Sequence, residues 1–115
     1  MMQEIAKELQ EKVFEAIETA KATGKLKKGT NEVTKALEKG QAKLVAIAKD
    51  VSPPEIIMHI PMLAEEKGVA CAVVGSKEEL GAAAGLELPT SGVAIIVEGD
   101  AKGLIAEIAA KLKKE

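Results

Sequence analysis

The chain has no tryptophan, no tyrosine and no arginine, and Phe14 is its one aromatic residue. Readers of single-stranded nucleic acid usually stack bases on aromatic rings or guanidinium planes, and the chain has almost no such platform. Cysteine is scarce too. Cys71 stands alone, which rules out an internal disulfide, and His59 is the one histidine. One His and one Cys cannot form an ordinary zinc ligand set. Cys71, mid-strand, is read as an inert buried thiol; His59, inside an apolar segment, as packed or partly exposed. No apolar run approaches the ~18–20 residues of a membrane span. The stretch Met1 to Glu11 is charged and helical in pattern, unlike a secretory signal. The expected setting is a reducing cytoplasm. No nucleophile, base and orienting acid fall together, so catalysis is not expected. Gly75 to Gly85 is glycine-rich but lacks the Walker spacing and its Gly-Lys-Ser/Thr ending, and no cofactor is expected.

What the chain does have is a core. Its 115 residues are 47% hydrophobic and 30% charged, which suits one globular domain over 1–115. The net charge of −2 hides an asymmetry: residues 21–43 hold seven lysines against Glu32 and Glu38, while the rest carries nine lysines against sixteen acids. A basic patch on an acidic body can dock on phosphate. It reads equally as a solvated lysine-rich face.

Ile5, Leu9, Val13 and Ile17 recur every four residues, which predicts an amphipathic helix over 2–22 ended by Gly24. Lys25 to Gly29 is a short link or a stub of strand. Thr30 or Asn31 can cap a second helix running to Lys39, stopped by Gly40. The apolar runs 43–48, 69–74 and 93–97 fit strands covered on both faces. Pro53-Pro54-Glu55 opens a helix predicted to continue through Lys67. Ser76-x-x-Glu79 is a capping box for a short helix to Ala84, and Gly99-Asp100 leads into a last helix through Lys113. Helices alternating with buried strands predict a three-layer α/β/α sandwich with a small, mixed, four-stranded sheet.

The second helix carries the chemistry. With Asn31 at zero and ~100° per residue, Lys35 falls near about 40°, Lys39 about 80° and Glu32 about 100°, while Val33 and Leu37 lie near about 200° and 240°. One face is apolar and one polar. The polar face begins at a helix amino terminus, which offers free N–H groups and partial positive charge to phosphate. Lys27, Lys28 and Gly29 precede it. Asn31 can donate and accept at a base edge; an ionised Glu32 can only accept, so it seeks base N–H groups. An acid on a basic face is repelled by phosphate, which favours base reading over charge attraction. The plainer alternative is that Asn31 caps the helix and Glu32 completes the charge of its first turn.

The run Lys28-Gly29-Thr30-Asn31-Glu32-Val33-Thr34-Lys35 resembles the signature of the archaeal L7Ae ribosomal protein family, the kink-turn binders. Asp50-Val51-Ser52-Pro53-Pro54-Glu55, His59-Ile60-Pro61-Met62-Leu63, Glu65-Glu66-Lys67 and Ser76-Lys77-x-x-Leu80-Gly81 continue the likeness over residues 3–110. The resemblance implies the family's sandwich fold and a non-catalytic role. Its ligand would be a kink-turn, an RNA helix bent at a three-nucleotide bulge flanked by tandem sheared G·A pairs. Asn31, Glu32 and Lys35 would meet those pairs. Lys27, Lys28, Gly29 and Thr30 would lie along the backbone with Lys39 nearby. Ile56, Lys77 and the loop Leu88-Pro89-Thr90-Ser91 would hold the extruded nucleotide. It also implies ribosomal RNA, box C/D and H/ACA guide RNAs and RNase P RNA as ligands, a box C/D scaffold protein as partner, and a monomer when free. The chain departs from the family at Ser52, where many relatives carry an acid, at Ala82, commonly basic, and at Lys39, commonly arginine.

Overall fold

A computed structural model describes residues 4–114. Among these residues, four strands and five α-helices follow one another. Helix α1 spans Lys7–Thr23, and strand β1 spans Lys25–Lys28. Helix α2 spans Thr30–Glu38, and β2 spans Leu44–Ala48. Helix α3 (His59–Glu66) leads to β3 (Ala70–Val74), and α4 (Lys77–Ala83) to β4 (Gly92–Val97). Helix α5, Lys102–Lys114, closes the chain after a 3-10 turn at Gly99–Ala101.

The sheet order is β1-β4-β2-β3. Strand β2 runs parallel to β3, and β4 is antiparallel to both β1 and β2. The expected mixed four-stranded sheet is therefore what forms. The link at 25–28 is a true edge strand, pairing Leu26 with Ile95 and Lys28 with Val93. Helices α1, α4 and α5 pack together, and α2 packs on α3 and against β1 and β4. All five residues of β2 are buried, as a central strand covered on both faces requires. Val13, Ile17, Val33, Leu37, Ile47, Leu80, Ile95 and Ile108 are among the most deeply buried side chains of a single continuous core.

Two helix boundaries differ from the sequence reading. Helix α1 begins at Lys7, not near residue 2, and residues 2–3 lie outside the described part. Before it, the Ile5 N–H donates to the Val73 carbonyl at 2.9 Å, so this segment lies beside β3. The helix predicted from Pro54 through Lys67 is instead a 3-10 turn at Pro54–Ile56 followed by α3. Pro61 explains the break. Proline has no N–H and clashes with the carbonyl four residues back in a helix interior, but is harmless in a first turn. The helix therefore restarts at His59, two residues before it.

Candidate nucleic-acid interface

Gly29 joins β1 to α2. Its φ of 92° and ψ of 154° lie in a region open in practice to glycine alone. Its N–H donates to the Gly92 carbonyl at 2.8 Å, and its own carbonyl accepts from the Val33 N–H at 3.0 Å. Gly29, not Thr30 or Asn31, is the N-cap, and no side chain caps the helix. The capping role open to Asn31 in the sequence is therefore not the one adopted. Asn31 lies in the first helical turn and is exposed. The first amides of α2 have no intrahelical acceptor to reach.

Thr30 turns its hydroxyl away from capping. Its Oγ1 lies 2.6 Å from Ser91 Oγ, which ties the start of α2 to the 88–91 loop. That loop is fixed further: the Ala48 N–H donates to the Ser91 carbonyl at 3.0 Å, and the Thr90 N–H to the Lys77 carbonyl at 3.1 Å. A side chain at Gly81 would place its Cβ 2.2 Å from the Leu88 carbonyl oxygen, so α4 and the loop approach backbone to backbone. Lys77 opens α4, where its N–H donates to Asp50 Oδ1 at 2.8 Å and Ser76 Oγ accepts from the Glu79 N–H. The expected capping box at Ser76 thus supplies its amino-terminal half.

Glu32 stands exposed between two ammonium groups. Lys27 Nζ lies 4.0 Å from its Oε1 and Lys35 Nζ 3.9 Å from its Oε2. These spacings give screened attraction, not tight pairing, and leave carboxylate lone pairs open. The same residues, with Lys25, Lys39 and Gln41, line a groove of about 310 Å³ between β1 and α2. Lys25 and Gln41 were not singled out from the sequence. The alternation Lys25-Leu26-Lys27 carried the signal for the first, because residues two apart share a strand face.

The structure joins most of the sequence-predicted residues through named contacts. Lys27 and Lys28 are exposed on β1; Gly29, Thr30, Asn31, Glu32 and Lys35 form the first turns of α2; Lys39 is its C-cap. Lys77, Thr90 and Ser91 connect to that turn through the bonds above, and Leu88 is 73% exposed. Pro89 is exposed beside it. Thr90 differs from expectation: it is 7% exposed and donates its hydroxyl to the Gly92 carbonyl. Its side chain shapes the loop and faces inward. Ile56 sits on the 3-10 turn with 41% of its surface open, without a direct bond to the rest.

Several further groups lie outside this surface. Cys71 is half-buried, not fully buried as expected; desolvation still pushes its thiol up to about 12, the direction of an unreactive cysteine. Lys12 contacts Glu107, linking α1 to α5; the pairing raises the lysine and lowers the carboxyl from their ordinary values. Among the described residues, no cluster of three or more His, Cys, Asp or Glu could hold a metal ion, and no helix is long and apolar enough to cross a membrane.

Among solved structures, the chain is similar to a Giardia lamblia 15.5kD RNA binding protein, with 32% sequence identity and a TM-score of 0.92. That match covers 98% of this chain and 94% of the other. The family model described as ribosomal protein L7Ae/L30e/S12e/Gadd45 matches residues 11–105, and the chain belongs to that family.

Proposed function

We propose that the protein is a non-catalytic RNA-binding protein that recognises kink-turns through the amino end of α2. The observation that carries this reading is Glu32. An acid held at about 4 Å from two lysines, beside exposed Asn31, would weaken a surface meant for phosphate alone. It makes sense where base N–H groups must be met inside a phosphate-lined groove. The lysines around it supply salt-sensitive contacts to the backbone. Membership of the family and likeness to an RNA-binding protein support the same class of ligand.

Binding would act by population shift. A free kink-turn samples extended and bent forms, and a protein that fits only the bent form draws the equilibrium toward it. The bent RNA would then offer surfaces for other proteins. In this reading the ligands are ribosomal and guide RNAs and RNase P RNA, the setting is the cytoplasm, and the box C/D scaffold protein is a partner. Leu88 and Ile56 would supply apolar surface to the extruded nucleotide, with Lys77 near its phosphate.

A protein-interaction role on the same fold is favoured by one observation. Met62 on α3 and Met58 just before it are exposed and line a groove of about 690 Å³ with Pro54, Pro61 and Val73. Adaptable methionine surfaces suit protein contacts. The two readings separate in one experiment: an RNA carrying a kink-turn, with donor and acceptor dyes on its two stems, is titrated with the protein. Energy transfer should rise to saturation as the stems close, and an RNA with the G·A pairs replaced by Watson–Crick pairs should stay extended. Equal, weak responses from both would favour the protein-interaction role.

A further inference from the structure

His59 is the one histidine, and nothing above gives it a task. It lies exposed at the start of α3, with Nε2 2.7 Å from Thr34 Oγ1. Thr34 Oγ1 is also 2.8 Å from the Thr30 carbonyl oxygen. The direction of these two bonds follows from the proton count. A hydroxyl has one proton and a carbonyl oxygen can only accept, so the Thr34 proton points to Thr30. The Thr34 oxygen then offers a lone pair to the ring, and His59 must carry its proton on Nε2. This assignment comes from the hydrogen-bond network.

The partners of this bond give it meaning. Thr30 and Thr34 bracket the helical turn that displays Asn31 and Glu32. That turn has no side-chain cap, because Gly29 occupies the capping position. Uncapped helix ends fray. Here the turn is held from two sides instead: Thr30 Oγ1 meets Ser91 Oγ from the 88–91 loop, and Thr34 meets His59 from α3. The first amides of α2 stay open to a ligand while the turn itself is braced.

We propose that His59 is a positioning residue for RNA recognition, bracing the first turn of α2 by donating a hydrogen bond from Nε2 to Thr34, so that Asn31 and Glu32 are presented in a fixed geometry. The proposal rests on the RNA reading above. It predicts more than a packing role, because the requirement is for a donor at one atom. Phenylalanine keeps the ring's bulk and cannot donate; glutamine places an N–H near the position of Nε2.

The test uses the full chain with His59→Phe, His59→Gln, Thr34→Val and the double variant His59→Phe/Thr34→Val. Each is titrated with a kink-turn RNA and with its Watson–Crick-substituted partner. Loss of one ordinary hydrogen bond corresponds to roughly a three- to tenfold change. His59→Phe should weaken kink-turn binding by that factor, leave binding to the substituted RNA unchanged, and be rescued by His59→Gln. The double variant should lose no more than either single variant, since both remove the same bond. Full discrimination retained in His59→Phe would overturn the proposal, as would His59→Gln behaving like His59→Phe. Should the wild type bind both RNAs alike, the RNA reading has failed. The brace is then read directly by amide exchange, where faster exchange at residues 33 and 34, the first hydrogen-bonded amides of α2, in His59→Phe supports it and unchanged exchange overturns it. Nitrogen NMR of the ring supplies a further check: an unprotonated Nε2 at neutral pH contradicts the bond direction.

Discussion

Replacing Glu32 with alanine sets two opposing effects against each other, and their sizes decide the outcome. The carboxylate is 4.0 Å from Lys27 Nζ and 3.9 Å from Lys35 Nζ, with its side chain 47% exposed. Open pairs of this kind contribute below about 1 kcal/mol each, so the fold should survive. At the RNA surface, removing the charge relieves repulsion of phosphate. For a phosphate ~8 Å away in water, Coulomb's law gives about 0.5 kcal/mol, further reduced by salt. Removing a two-point acceptor for base N–H groups costs about 1–3 kcal/mol, or roughly 5- to 150-fold in affinity. The loss therefore dominates where sheared G·A pairs are present, and only the relief operates where they are absent. Fluorescence anisotropy with the two labelled RNAs, at one fixed salt concentration, should show kink-turn affinity falling within that range. Affinity for the substituted RNA should hold or rise by about twofold. If Glu32→Ala raised affinity for both RNAs, repulsion would be the residue's main effect and base reading would be wrong.

Other predictions concern the surroundings of this turn. Lys25→Ala with Lys39→Ala removes two ammonium groups from the groove beside α2. It should flatten the dependence of log affinity on log salt by about 2, near 0.9 per lost phosphate contact, with the preference for kink-turn RNA unchanged in parallel titrations. Gly81→Ala drives a Cβ to 2.2 Å from the Leu88 carbonyl oxygen. Backbone must move, so thermal unfolding should show a loss of about 1–3 kcal/mol, with altered amide shifts through 86–91. Cys71, held up to about 12, should react with a disulfide reagent at pH 8 on the order of a hundredfold more slowly than an ordinary thiol, the smaller thiolate fraction being partly offset by its greater nucleophilicity. The unfolded thiol ionises near about 8.5 and the folded one far later, so Cys71 contributes stability that is lost as pH rises over that interval. Chemical denaturation of Cys71→Ala should show a shallower decline above pH ~9 than the wild type.

The strands were legible in the sequence because 44–48, 70–74 and 92–97 are short apolar runs that only a doubly covered sheet could bury. Helix α2 was legible because Val33 and Leu37 share a face opposite Lys35. Strand β1 was ambiguous, since Lys25-Leu26-Lys27-Lys28 offers one apolar residue and owes its extended form to pairing with β4. The break before α3 was hidden because Pro53 and Pro54 start a helix convincingly, and the weight of Pro61 lies in what it forbids upstream. Within the interface, residue types and helical phase marked Asn31, Glu32 and Lys35 on one polar face. The roles of Thr30, Thr34 and Ser91 were not readable, because they depend on contacts across 61 and 25 residues of chain. Nor did the sequence show that Thr90 faces inward, since a hydroxyl in a polar loop carries no sign of its direction.

The most direct measurement is the ratio of wild-type affinities for a kink-turn RNA and for the same RNA with its G·A pairs made Watson–Crick, taken at two salt concentrations. Base reading by Asn31 and Glu32 predicts a large ratio that stays nearly constant as salt weakens both affinities together. A ratio near one, or one that vanishes as salt rises, would show a basic patch gripping phosphate and contradict the account.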